Sequence, residues 1–186
     1  MITARLFVAL VPPPAVRAEL AAVGELLVDA RVTLPENVHL TLRFIGDTAA
    51  EREAGFIKAL ARVHVEPFVL PVGTVGVFPS RGHANVVWAG VGNGHTRLFQ
   101  LRKQVDEALL SVDSSLTVSS FHPHFTLGRL GENHDPKALA RFRERFRQFE
   151  APPFRVSEFL LMASESQPGH TRAYRTIHNY SLNEKQ

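Results

Sequence analysis

The sequence predicts an α+β fold of two pseudo-symmetric lobes, each an antiparallel-rich sheet with helices on its outer face, around a central groove. Three observations predict it. Strand-like and helix-like stretches alternate as strand, helix, strand, helix, strand, roughly twice over. Nine residues also occur twice: His39-Leu40-Thr41-Leu42-Arg43-Phe44-Ile45-Gly46-Asp47 reads almost the same as His124-Phe125-Thr126-Leu127-Gly128-Arg129-Leu130-Gly131-Glu132. His, Thr, Leu and Gly fall at identical offsets, 85 residues apart, as a duplication would place them. No linker, low-complexity segment or composition break divides the chain, so residues 1–186 are expected to form one bilobal domain.

Each element has its own signal. Residues 5–10 are an apolar, β-rich run closed by Pro12-Pro13-Pro14, which reads as a strand. Pro14 can open a helix in which Val16, Leu20, Val23 and Leu27 recur at helical spacing to about residue 29. Residues 38–45 form the next expected strand, bounded by Gly46-Asp47. Thr48 and Glu51 have the spacing of a capping box for a helix over about 49–62. Residues 67–77 and 85–91 read as strands separated by a turn around Pro79-Ser80-Arg81-Gly82. Thr96 is expected to cap a helix carrying Leu98, Leu101, Val105 and Leu109. Residues 121–129 hold the second copy of the repeated strand. Asp135-Pro136 should start a helix with Leu139, Phe142, Phe146 and Phe149 on its apolar face. Residues 154–163 and 172–182 close the chain as strands joined by the loop Ser164-Glu165-Ser166-Gln167-Pro168-Gly169.

Composition removes several function classes. Hydrophobic residues make up 45% and charged ones 21%, an ordinary globular balance. The absence of cysteine excludes disulfides, zinc-cysteine sites and thiol nucleophiles, and suits a cytoplasmic location. The first apolar stretch is too short for a membrane span and lacks the flanks of a signal peptide, so no membrane partner is expected. The net charge of +3 comes mostly from arginine, which permits an anionic or nucleic-acid ligand.

The repeated strand is where the chemistry lies. Alternation turns His39 and Thr41 to one face and Leu40 and Leu42 to the other; His124 and Thr126 do the same against Phe125 and Leu127. A polar face in the middle of an apolar segment is costly to bury, so it should line a cleft. Two imidazoles facing each other across that cleft supply a general acid and a general base near neutral pH. In-line displacement at phosphorus needs that pair, and the threonine hydroxyls can donate to the phosphoryl oxygens. The scheme calls for no metal, cofactor or covalent nucleophile.

These residues resemble the paired H-x-T-x motifs of the 2H phosphoesterase superfamily. More narrowly, the chain is similar to the bacterial and archaeal RNA 2′,3′-cyclic phosphodiesterases, also called 2′-5′ RNA ligases. Beyond His39-Leu40-Thr41-Leu42 and Pro123-His124-Phe125-Thr126-Leu127-Gly128-Arg129, the opening Arg5-Leu6-Phe7-Val8-Ala9-Leu10 and the central Val87-Trp88-Ala89-Gly90 fit as well. The resemblance implies the LigT-like fold and hydrolysis of the terminal 2′,3′-cyclic phosphate of RNA, or of a cyclic nucleotide, to a 2′-phosphate. It implies His39 as proton donor to the leaving 3′-oxygen and His124 as proton acceptor from water, roles that the near-symmetry of the repeat alone leaves open. Reversible 2′-5′ ligation and a monomeric state are further implications. Arg129 matches a basic position near the phosphate, but a regular strand would turn it away from His124, so a bulge or strand end at Gly128 is required. His122, Arg43 and Tyr174 are candidate groove residues, Tyr174 for base stacking.

Other candidates weigh less. His122-Pro123-His124 could begin a metal pair, but Thr126 and Leu127 stand where a dinuclear hydrolase has Asp and His. His64, His83, His95, His134, His170 and His178 are expected at the surface. Arg141, Arg143, Arg145 and Arg147 are spaced by two around one helix and read as a solvated face. The competing function class is a 2H-like module that binds RNA or nucleotide with weak or no turnover, which loss of a motif histidine would favour. Both are present.

Overall fold

The computed structural model describes residues 3–92, 95–117, 120–166 and 172–183. Among these residues nine strands form one curled sheet: β1 (Thr3–Leu10), β2 (Ala30–Val32), β3 (Leu40–Ala49), β4 (Phe68–Phe78), β5 (Val86–Gly90), β6 (His124–Leu130), β7 (Glu150–Val156), β8 (Glu158–Ser166) and β9 (Arg172–Ser181). Four helices, α1 (Pro14–Gly24), α2 (Ala50–Leu60), α3 (Thr96–Leu110) and α4 (Pro136–Arg145), connect them. The spatial order is β7-β4-β5-β6-β3-β1-β8-β9, with every pairing antiparallel and β2 attached to β6.

Between β3 and β6 the register has one residue pair, Leu40 with Phe125. The sheet therefore splits there into two four-stranded halves, and β2 takes the edge of β6 that β3 leaves open, along Gly128 to Leu130. The pseudo-two-fold passes between β3 and β6. It matches β1 with β5 and β8 with β4, so each repeat sends its next strand into the other lobe: β4 lies beside β5, and β8 beside β1. Helices follow the same exchange. α1 packs on β6 and β7, while α3 packs on β3.

One apolar core runs behind both lobes. Leu6, Val8, Leu40, Leu42, Phe125 and Leu127 meet Val16, Leu20, Phe56, Leu60, Leu98, Leu101 and Phe142 from the four helices. On the opposite face Phe7, Ala9, Leu160 and Met162 form a separate cluster. That second face is the groove.

Several boundaries differ from expectation. α1 stops at Gly24, and Ala30–Val32 is a strand too short for any periodicity to mark. β3 runs through Gly46 and Asp47, because Gly46 at φ +92° bends the strand without ending it. Thr48 donates to the Gly46 carbonyl at 3.1 Å and caps nothing; Ala49 is the N-cap of α2. His95, not Thr96, is the N-cap of α3, whereas Asp135 caps α4 by accepting from the Lys137 amide at 2.8 Å. The expected strand over 154–163 is two strands broken at Ser157, and 121–123 precede β6. The loop between β8 and β9 falls on 167–171, outside the described residues, as does His170. His134 is buried, its Nδ1 3.0 Å from the Gly131 carbonyl and its ring tilted against that of His83 at 4.5 Å, unlike the surface position expected.

Candidate active site

The same irregularity follows each His-x-Thr. Along β1 and β3, Ala9 pairs with Thr41 and Val8 with Arg43, leaving Leu42 as an extra residue. Along β5 and β6, Trp88 pairs with Thr126 and Val87 with Gly128, leaving Leu127 extra. These are β-bulges, which shift everything beyond them by one face. The bulge required for Arg129 to share a face with His124 is thus present, one residue earlier than Gly128. Arg129 pairs with Val86, two residues from Trp88 on β5, so it faces the groove with Thr126. In β3 the equivalent shift brings Phe44 to the groove, where it is 69% exposed.

The two imidazoles are held alike. His39 Nδ1 lies 2.7 Å from the Asn37 carbonyl, and His124 Nδ1 lies 2.6 Å from the His122 carbonyl. A carbonyl only accepts, so each Nδ1 carries the hydrogen and donates it. Each Nε2 is then the nitrogen left for chemistry: a lone pair when the ring is neutral, a donor when it is protonated. Burial pushes both histidines below their usual value, against the carbonyl bond that favours the charged form. Charge on His124 further opposes protonation of His39, and His122 and Arg129 do the same to His124.

Their surroundings differ between lobes. Around His39 the groove is aromatic: Phe7 lies 5.1 Å and Tyr174 4.8 Å from the imidazole, centroid to centroid, and Phe7 is 6.2 Å from Phe44. Around His124 stand Phe78 at 5.0 Å and Trp88 at 6.3 Å, with the Arg129 guanidinium supplying positive charge. Thr41 and Thr126 are partly buried beside their histidines, and His122 is exposed at the rim. Phe7, Phe44, Phe78 and Trp88 were not expected at the site. Strand alternation opposite the histidines could have marked Phe7 and Trp88; Phe44 could be found only by knowing of the bulge.

Arg43 is not a groove residue. The bulge turns it to the helix side, where it is 3% exposed, donates to the Thr117 carbonyl at 2.7 Å and sits 3.4 Å from Asp106 of α3. Arg102, also buried, binds Asp106 at 2.6 Å and donates to the Leu42 carbonyl. The second lobe meets the same need with backbone: the Leu127 carbonyl accepts from the Thr33 amide at 2.9 Å. Gly128 replaces Arg43 there because a Cβ would press against Leu27 at 3.0 Å and the Arg31 carbonyl at 3.3 Å. A buried ion cluster thus does in one lobe what β2 does in the other. Although His122 and His124 are neighbours, among the described residues no three His, Cys, Asp or Glu side chains converge as a metal cage.

The chain resembles known proteins over most of its length. The LigT-like phosphoesterase family model matches it in two consecutive segments, residues 10–88 and 91–171, one for each repeat. The RNA 2′,3′-cyclic phosphodiesterase of Aeropyrum pernix is 34% identical over 69% of this chain and 73% of its own. That of Escherichia coli is 27% identical over 82% and 80%. Among solved structures, E. coli LigT in complex with 3′-AMP superposes with a TM-score of 0.79 at 23% identity, covering 98% of this chain and all of that one. TT0787 of Thermus thermophilus reaches 0.80 at 23% identity, covering 96% and 97%. Duplicated motif, split sheet and family match agree: this chain belongs to the LigT-like phosphoesterases of the 2H superfamily.

Proposed function

We propose that this chain hydrolyses the terminal 2′,3′-cyclic phosphate of RNA to a 2′-phosphate, with His39 as general acid and His124 as general base. The observation that carries this is the matched pair of imidazoles, each pinned through Nδ1 to the carbonyl two residues upstream and each leaving Nε2 to the groove. The Nε2 of His124 takes a proton from water as its oxygen bonds to phosphorus. The bond from phosphorus to the 3′-oxygen breaks, and the Nε2 hydrogen of His39 goes to that oxygen. Thr41, Thr126 and Arg129 hold the phosphoryl oxygens, and Phe44 and Tyr174 offer faces for the base. Several relatives carry the name RNA 2′,3′-cyclic phosphodiesterase, which supports this choice over a binding module.

With a 5′-hydroxyl in place of water, the same proton transfers would join that end to the cyclic phosphate through a 2′-5′ bond, and their reversal would cleave it. We place the activity in the cytoplasm and in a monomer, with residues 1–186 acting as one bilobal unit. The test is incubation of an oligonucleotide bearing a 2′,3′-cyclic end, with and without a chelator, and identification of the product. A 2′-phosphate formed in both arms is expected. A 3′-phosphate would reverse the orientation of the acid. Binding without turnover would make the chain a module, and turnover abolished by the chelator would bring the His122/His124 metal pair back.

A further inference from the structure

β2 is a three-residue strand in the first repeat, and among the described residues the second repeat has no counterpart. Its middle residue, Arg31, is paired directly with Arg129. Directly opposed residues of an antiparallel pair share a face, with their Cα atoms about 5 Å apart. Arg31 therefore stands beside Arg129 on the groove face, and both are exposed. The position is built with care. Thr33 donates to the Leu127 carbonyl, Gly131 donates to the Asp29 carbonyl at 3.0 Å, and the bare Gly128 admits the Arg31 backbone.

Position along the groove says which anion. β3 and β6 run antiparallel, and Phe44 and Arg129 each lie five residues past a motif histidine, so the pseudo-two-fold carries them to opposite ends. In a ribose 2′,3′-cyclic phosphate the base leaves C1′, beside C2′, and the upstream chain leaves C4′, beside C3′. Base and upstream phosphate thus diverge to opposite sides of the cyclic phosphate. With the base toward the aromatic end, the next phosphate of the chain points toward the arginines.

We infer that Arg31, standing beside Arg129, forms a second phosphate subsite, which binds the internucleotide phosphate immediately upstream of the cyclic end while Arg129 stays on the reacting phosphate. The substrate class is then an oligonucleotide in preference to a cyclic mononucleotide. This rests on the hydrolytic reading above and refines it.

The experiment uses two dinucleotides with 2′,3′-cyclic ends that differ only in the internal linkage, a phosphodiester or an uncharged methylphosphonate. Wild type should favour the charged linkage about tenfold in kcat/KM, the scale of one charge-assisted contact. Arg31→Gln should reduce that ratio to about threefold or less, and Arg31→Lys should keep an intermediate value. The slope of log(kcat/KM) against log[salt] on the phosphodiester should become shallower by about 0.7 in Arg31→Gln. A wild-type ratio near one, or a ratio unchanged in Arg31→Gln, overturns the subsite. Dissociation constants for the two 2′-phosphorylated dinucleotides are measured in the same proteins. If neither cyclic substrate turns over, the hydrolytic reading fails, and the binding ratio alone still decides for or against the subsite.

Discussion

Replacing Asp106 by asparagine isolates what the buried ion cluster does. Asp106 faces two guanidiniums that are 3% and 6% exposed, Arg43 at 3.4 Å and Arg102 at 2.6 Å. The substitution conserves shape and removes the charge, leaving two buried cations against each other. Removing one partner of a buried pair costs about 3–5 kcal/mol, and the partial exposure of Asp106 (16%) favours the lower end. For a chain of this size that is a fall in Tm of about 6–20 °C. Arg147→Gln serves as the reference, since its pair with Glu144 is exposed on both sides and worth less than about 1 kcal/mol. Activity gives a second readout. Arg102 holds the carbonyl of Leu42, the residue after Thr41, so loosening it displaces the His39 strand. At a temperature where Asp106→Asn is fully folded by circular dichroism, kcat on a cyclic-phosphate substrate should fall about tenfold or more with KM changed less. Equal stability loss in Asp106→Asn and Arg147→Gln would show that the cluster is not a structural centre. Full kcat in the folded variant would show that it does not hold the catalytic strand.

Four further outcomes are expected. His39→Ala and His124→Ala should each lower kcat about 10²–10⁴-fold with folding intact, and the double variant should lose less than the product, as measured by single-turnover assays. Both imidazoles are displaced below 6.5 in the free protein, and one must be protonated while the other is not. The bell of kcat/KM against pH should therefore peak below 6.5, whereas the bound phosphate anion raises both values and moves the kcat profile to higher pH. Phe44→Ala should weaken a base-bearing substrate by about 1–3 kcal/mol without lowering Tm, because the ring is mostly exposed. Thr41→Val and Thr126→Val should each cut kcat about 10²-fold if the hydroxyls stabilise the transition state; a raised KM at constant kcat would assign them to ground-state binding.

Much of this site could be read from the chain because its information is local. A nine-residue repeat and strict alternation suffice to bring His39, Thr41, His124 and Thr126 to one face. What the sequence hid depends on pairing between distant segments. Leu42 and Leu127 look like ordinary strand residues, and only the register against β1 and β5 makes them bulges. Those bulges bury Arg43, which simple alternation had turned toward the groove, and expose Phe44, which it had turned toward the core. β2 escaped notice for the same reason: three residues carry no period, and its existence rests on two glycines that let backbones approach, Gly24 and Gly128. Gly46 misled in the other direction, since a glycine at positive φ can as well bend a strand as end it.

The exchange of β4 and β8 between lobes has a consequence for how such a chain can be divided. A cut near residue 82, between β4 and β5, would leave the first half with β1 and β3 lacking their outer neighbour β8, and with β4 stranded from β5. Neither fragment can complete its own sheet, so the duplicated segment is not an autonomous folding unit. Two copies of one such half could, however, lend each other the absent strand, each filling the vacancy that the other carries. Fusing the two ends of that reciprocal pair gives the present order of strands. The two lobes differ all the same: Phe7, Phe44 and Tyr174 gather beside His39, and Arg31 and Arg129 stand in the His124 lobe. The working cleft lies where the two lobes meet, between β3 and β6, which no segment within either half can form alone.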